Sequence, residues 1–555
     1  MLVSEAVGAT LAELGADTVF GVVGSGNFHV TNALIARGAR YVAARHEGGA
    51  ASMADGWARM TGRPGILSVH QGPGLTNAMT GITEAAKSRT PLLVLAADVA
   101  ARAVRSNFRI DVAALAAAVG AVPARLHSPG FAVDDTVRAY RTALAERRTV
   151  VLALPLDVQA AECIMPEIAP LPGPPARAPS ADALASLADA LRRASRPVFI
   201  AGRGARATGA RADLELLADA CGALLATSAA GKGLFRGSPW DLDVSGGFAS
   251  PLTAELIKGA DLIVGWGCSL NMWTMRHGNL VSPGTTVAQV DDDRDAIGAH
   301  RQVDLGVVGD AGRTARAAAA LLADEPGPSP GQAGHRDGYR SAELRDRIAR
   351  EGRWRDVPYK DESDESRIDP RTLSIALDDM LPAERIVAVD SGNFMGYPSM
   401  YLSVPDADGF CFTQAYQSIG LGLASAIGSA IARPDRLTVA ALGDGGALMG
   451  ISELETVVRL GLPMVIVIYD DEAYGAEVHH FGPDGHPLET VRFPAADIAA
   501  IGRGFGCDGV TVRGPDDLQP VRAWLDGARD RPLLIDAKVT SDHGSWWLEE
   551  AFRGH

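Results

Sequence analysis

Leu437-Thr438-Val439-Ala440-Ala441-Leu442-Gly443-Asp444-Gly445-Gly446 is an apolar run that ends in a glycine-rich turn. The amphipathic segment ISELETVVRLG (451–461) follows. A second apolar run, Pro463-Met464-Val465-Ile466-Val467-Ile468-Tyr469, then closes on Asp470-Asp471-Glu472-Ala473-Tyr474-Gly475. Apolar runs this short read as buried strands, and the segment between them has helical composition. Strand, helix and strand in that order predict a crossover between neighbouring parallel strands. In such sheets ligands gather at the carboxyl ends of strands. Asp444 and Asp471 both lie there, 27 residues apart (471 − 444). Two carboxylates with a backbone carbonyl form an oxygen donor set suited to Mg²⁺ or Ca²⁺. The Gly445 and Gly446 amides, at a helix start, suit phosphate oxygens.

The same alternation extends outward in both directions. RIVAVDSG (385–392) reads as a further strand of this block. RPVFIAG (196–202), ADLIVGWG (260–267) and TTVAQVD (285–291) read as strands of a second block. DTVFGVV (17–23) and GILSVH (65–70) read as strands of a first, with a helix from Gly48 to Thr61 between them. The expected fold class is α/β, with three doubly wound parallel-sheet domains. Proline-rich residues 166–175 and polar residues 324–370 read as linkers. They delimit expected domains at 1–165, 180–325 and 366–545, each of ordinary domain size. The segment SAELRDRIAREGRW inside the second linker has helical composition. A chain of 555 residues, 47% hydrophobic, supports three cores. The net charge of −15 argues against nucleic-acid binding. No apolar run reaches about 18 residues, so no membrane span is expected. The amino terminus lacks the pattern of a signal peptide, and the five cysteines are scattered. Both features point to the cytoplasm.

Gly-Asp-Gly, then about 25 residues, then an acidic or amide pair closing a strand resembles the thiamine diphosphate-binding motif. Arg45-His46-Glu47-Gly48-Gly49, Gly72-Pro73-Gly74-Leu75-Thr76-Asn77 and Ser418-Ile419-Gly420-Leu421-Gly422 extend the resemblance in order along the chain. It is to the thiamine diphosphate-dependent decarboxylases and carboligases, acetolactate synthase-like. It implies a pyrimidine-binding domain, a central domain and a diphosphate- and metal-binding domain. Asp444, Asp471 and the Ala473 carbonyl are then the metal ligands. Glu47 shares a proton with N1′ of the cofactor's aminopyrimidine. Ile419 wedges the cofactor into its bent shape. Asn77, Ser391, Gly392, Asn393, Ser418, Gly443, Gly445, Gly446 and Tyr474 join Glu47, Ile419, Asp444, Asp471 and Ala473 in cofactor binding. His70 and Gln71, at a strand end, are placed near the reacting carbon, and Glu477 and His480 follow the metal motif as further proton-transfer candidates. Ser25 of Gly24-Ser25-Gly26, with Glu47 and His70, resembles the pattern of benzoylformate decarboxylase.

The resemblance implies decarboxylation of a 2-oxo acid, carboligation to an aldehyde or second 2-oxo acid, or both. It implies a homodimer or homotetramer whose active sites combine Glu47 of one subunit with Asp444 of another. A benzoylformate decarboxylase-like decarboxylase, a C–C lyase and an inactive cofactor-binding homologue are the alternatives. Three departures stand out. The family's Asn-Asn pair is Asp470-Asp471 here, which puts extra negative charge near a diphosphate. Phe108-Arg109-Ile110 and Arg125-Leu126-His127-Ser128 replace the F-Q-E and T-K-H-S stretches of acetolactate synthases. Gly267-Cys268-Ser269-Leu270-Asn271-Met272-Trp273 replaces their FAD-binding stretch, so FAD is not expected.

Overall fold

A computed structural model describes residues 1–168, 173, 176–323, 338–541 and 543–548. Most of the proline-rich stretch at 166–175 and the first part of the 324–370 stretch lie outside the described residues. Within the rest, SAELRDRIAREGRW forms the helix Ala342–Glu351, N-capped by the Ser341 hydroxyl.

Three six-stranded sheets, parallel at every pairing, make up the molecule. The first contains β1 (Thr18–Gly21), β2 (Arg40–Ala43), β3 (Gly65–Val69), β4 (Leu92–Asp98), β5 (Val122–Arg125) and β6 (Thr149–Pro155). The second contains β7 (Pro197–Ala201), β8 (Leu224–Thr227), β9 (Asp241–Val244), β10 (Leu262–Trp266), β11 (Thr286–Asp291) and β12 (Leu305–Val308). The third contains β13 (Arg385–Val389), β14 (Phe410–Phe412), β15 (Leu437–Gly443), β16 (Met464–Asp470), β17 (Asp508–Val512) and β18 (Leu533–Lys538). Strand order is β2-β1-β3-β4-β6-β5 in the first and β14-β13-β15-β16-β18-β17 in the third. Counted within each domain, the two orders are identical. The middle sheet, β12-β11-β10-β7-β8-β9, is wound differently.

The central strands β3, β4, β6, β15, β16 and β18 are almost entirely buried, because helices cover both faces of a parallel sheet. That is why they read as unbroken apolar runs rather than as alternating ones. The first strand is shorter than its sequence pattern suggests. It ends at Gly21, and Val22 and Val23 already belong to the turn that carries Ser25.

The first and third sheets are joined through two helices, Glu47–Thr61 and Gly422–Ala432. They cross at glycine: a Cβ on Gly56 would lie 2.3 Å from the Ser425 carbonyl oxygen, and one on Gly428 would lie 2.0 Å from that of Met53. Only residues without a Cβ permit backbones this close. One buried apolar cluster runs through the contact, from Phe20, Met53 and Trp57 by way of Leu423 and Ile427 to Ile466 and Ile468. Burial of each such large side chain is worth about 1.5–3 kcal/mol. Among the described residues no helix is long and apolar enough to cross a membrane.

Candidate active site

In the third domain β15 delivers Gly443 directly into the short helix Asp444–Met449. β16 runs beside β15 in register, pairing Gly443 with Tyr469, so Asp444 and Asp471 emerge side by side. Asp444 is buried and Asp471 half-buried. Burial, then the charges of Asp471 and Asp470, push Asp444 up to about 8. Burial, then Asp470, pushes Asp471 up to about 6. Two adjacent carboxyls in a dry site repel one another until a proton or a cation intervenes.

A cavity of about 160 Å³ opens onto the pair. Gly443, Asp444, Gly445 and Gly446 form one wall, and Ser391, Gly392 and Asn393, from the loop after β13, form another. Asp471, Ala473, Tyr474, Glu477 and Ile419 also line the cavity. The glycines are a cradle that a Cβ would fill: at Gly445 it would sit 2.6 Å from Tyr474, and at Gly475 2.2 Å from Asp471 Oδ2. This is the fit expected for an anion bridged by a metal ion. The donors are hard oxygens, the carboxyls lack a cationic side-chain partner among the described residues, and the helix start at Asp444, Gly445 and Gly446 lines the same space.

Asp390 positions Ile419. Its buried carboxylate accepts hydrogen bonds from Gly420 N (2.9 Å) and Leu421 N (3.2 Å), just past Ile419, and from Ser391 N (2.9 Å). Burial outweighs these bonds and pushes the carboxyl up to about 6. Ile419 therefore sits in a braced loop ahead of the Gly422–Ala432 helix rather than in its first turn. Ser418, whose hydroxyl donates to the Ile419 carbonyl (3.2 Å), supports the loop but does not line the cavity. His480 is also off the cavity. It lies on the helix Gly475–Phe481, edge-on to Phe481.

The first domain gathers a second set of groups at the ends of β1 and β3. Glu47 begins the Glu47–Thr61 helix, and Asn77 Nδ2 donates to its Oε2 (3.1 Å). His70 follows β3, and its Nδ1 accepts from Gly26 N (3.0 Å). That bond fixes the tautomer: the neutral ring carries its proton on Nε2. Burial lowers the His70 pKa, with Glu47 acting weakly the other way. Ser25 is exposed at the tip of the turn that His70 anchors. Asn27 braces this turn from inside, accepting from Gly24 N (2.9 Å) and donating to Ser68 Oγ (3.0 Å). Gln71 is buried against Gly26, and its Oε1 has no hydrogen-bond partner among the described residues.

Within one chain these two sets do not meet. No first-domain residue lines the cavity at Asp444. They are nevertheless mechanically connected. Glu453, buried nine residues after Asp444, accepts from the backbone N–H groups of Arg45 and His46 (3.0 Å each), immediately before Glu47. Sequence reading did not single out Glu453, Asn27 or Lys538. Phe108 was read only as part of a replaced stretch, yet its ring stands edge-on to His70 at 5.3 Å.

The Asp470-Asp471 pair divides its work. Asp471 lines the cavity, where its carboxyl stands in place of an amide. Asp470 does not line the cavity; it points to Lys538, its register partner on β18, and the two form a buried ion pair. Its charge is still felt at Asp444 and Asp471.

Comparison with known proteins agrees with this architecture. Residues 1–116, 184–318 and 390–537 match, in order, the N-terminal TPP-binding, central and C-terminal TPP-binding domains of thiamine pyrophosphate enzymes. The chain belongs to the thiamine pyrophosphate enzyme family. It is 32% identical to the Pseudomonas aeruginosa protein named "Probable 2-ketoarginine decarboxylase AruI", over 93% of this chain and 89% of that one. A sulfoacetaldehyde acetyltransferase of Rhodobacter capsulatus is 28% identical over 99% of this chain and 96% of its own length. An acetolactate synthase of Bacillus subtilis is 26% identical over 97% and 93%. The relatives thus include a decarboxylase and acyl-transferring enzymes on one thiamine pyrophosphate-binding frame.

Proposed function

We propose that this thiamine pyrophosphate enzyme uses Mg²⁺ to hold thiamine diphosphate and decarboxylates a 2-oxo acid, the product being released by protonation or joined to an aldehyde or second 2-oxo acid. The observation that carries the reading is the Asp444–Asp471 pair facing a glycine cradle. Asp444, Asp471 and the Ala473 carbonyl would hold the metal, and the amides of Gly445 and Gly446 the diphosphate. When bound, the cofactor supplies a nucleophilic carbon and an electron sink for loss of CO₂.

The chain's own residues do the remaining work. Glu47, steadied by Asn77, holds the proton exchanged with the aminopyrimidine. Ile419, braced by Asp390, supports the cofactor from below. His70 presents Nε2–H as a hydrogen-bond donor beside the reacting carbon, with Nδ1 held by Gly26 N and the ring kept neutral by burial. Glu477, in the first turn of its helix, serves as a second acid from the opposite side. Ser25 and Gln71 contact the substrate carboxylate.

This chemistry needs both half-sites, so we place the active site between two subunits of a homodimer or homotetramer. Exposed apolar side chains flank each half and need cover: Phe28 is 50% exposed beside Ser25, and Met449 is 58% exposed beyond Asp444. The test is CO₂ release from aliphatic, aromatic and guanidino-bearing 2-oxo acids, with and without added aldehyde. Glu47→Gln serves as the control. Turnover of one class, lost in Glu47→Gln, supports the reading. Cofactor binding with no turnover on any substrate would overturn it.

A further inference from the structure

The turn that offers Asp471 and the Ala473 carbonyl is built around a residue ill suited to it. Glu472, between them, has φ 58°, in the left-handed region. Four contacts hold it there. Asp470 Oδ1 accepts from Glu472 N (3.0 Å), Arg367 Nη2 pairs with Glu472 Oε2 (2.8 Å), and Phe493 N donates to the Glu472 carbonyl (2.8 Å). Ala473 itself bridges to Arg492.

Of these, the Asp470 contact spans the turn from inside the sheet, and it brings a carboxylate into a fully buried position. Lys538 makes that tolerable. It ends β18 opposite Asp470, is itself buried, and pairs with Asp470 Oδ2 while donating to the Ala496 carbonyl (2.9 Å). Asp536, on the same face of β18, is 3.2 Å from Lys538 and accepts from Ile498 N (3.1 Å) at the start of the next helix.

We propose that Asp470 and Lys538 form a positioning device for the metal site. Asp470 shapes the turn that presents Asp471 and the Ala473 carbonyl, and Lys538 neutralises the carboxylate that does so. Neither touches the metal. The inference rests on the proposed function, because it takes Asp471 and Ala473 as metal ligands.

The test is calorimetric titration of Mg²⁺ into the full-length protein with saturating thiamine diphosphate, alongside the melting temperature of the apoprotein. Three variants are compared with wild type. Lys538→Met leaves Asp470 and Asp536 buried and unpaired, and Mg²⁺ affinity should fall about 10–100-fold, as for other outer partners of metal ligands. Asp470→Asn with Lys538→Met restores charge balance and keeps an acceptor for Glu472 N, so it should recover most of that loss. Asp470→Ala with Lys538→Met is equally balanced but has no acceptor, so it should bind Mg²⁺ about tenfold more weakly than the Asn form. The last comparison decides the matter even if Lys538→Met does not fold.

Equal Mg²⁺ affinity in the two double variants would overturn the proposal. So would a lower melting temperature with wild-type Mg²⁺ affinity, the mark of a merely structural pair. If wild type binds no thiamine diphosphate with Mg²⁺, the proposed function fails first, and this inference with it.

Discussion

The first and third domains carry the same strand order on two sheets, β2-β1-β3-β4-β6-β5 and β14-β13-β15-β16-β18-β17, yet they end differently. At the carboxyl end of the third sheet, a buried carboxyl and a half-buried one stand side by side with no cationic side chain between them among the described residues. At the corresponding end of the first, a single half-buried carboxylate, Glu47, is met by an amide donor, and a histidine stands nearby with one nitrogen already engaged. In the proposed function the third-domain end takes a cation and the first-domain end exchanges a proton. One topology thus presents two chemistries, and the difference lies in a few residues placed where strands give way to helices.

Substitutions can break or sharpen this contrast, beginning with the largest effect. Asp444→Ala should remove the metal-holding end altogether, with loss of thiamine diphosphate binding by calorimetry and activity at background. Glu47→Gln should leave that binding intact while turnover falls about 10²–10⁴-fold, because only the proton-exchange end is damaged. If Glu47→Gln instead abolishes cofactor binding, the division of labour between the two ends is wrong.

His70→Ala should cost about 10²-fold in kcat/KM and also change the pH profile. The His70 pKa is lowered by burial, so the ring becomes charged only below the ordinary histidine value of about 6.5. Protonation at Nδ1 would also break the bond from Gly26 N. The wild-type profile should therefore show an acid limb with its midpoint below about 6.5, absent from His70→Ala. An unchanged limb would remove His70 from the reaction. Ser25→Ala should have the smallest effect, about tenfold in kcat/KM, the low end for one hydrogen bond to a charged substrate carboxylate.

Much of the fold was legible because buried parallel strands leave plain marks in sequence. LTVAALGDG and PMVIVIYDD are apolar on both faces and end abruptly in Gly and Asp. The motif-bearing turns were legible for the same reason, since Glu47, His70 and Asp444 all sit where an apolar run stops. What stayed hidden depends on register and on contacts far apart in the chain. Lys538 ends an ordinary-looking run, RPLLIDAK, and nothing local says that it will lie opposite Asp470 on β18. Without it, Asp470 and Asp471 read alike, as one acidic pair closing a strand. Glu453 looks like a helix-start residue until the Glu47–Thr61 helix is packed against its domain. Asn27 is hidden in a glycine-rich turn whose bracing by Ser68 spans 41 residues.

The central claim is that the two ends belong to one active site built from two subunits. The most direct test mixes Glu47→Gln and Asp444→Ala, each inactive alone, under conditions that exchange subunits. In a mixed dimer one site combines both substitutions and the other combines neither. Turnover should reappear at about a quarter of the wild-type level when subunits exchange at random. Mixed dimers that form, as shown by distinguishable tags, but turn over no substrate would contradict the account.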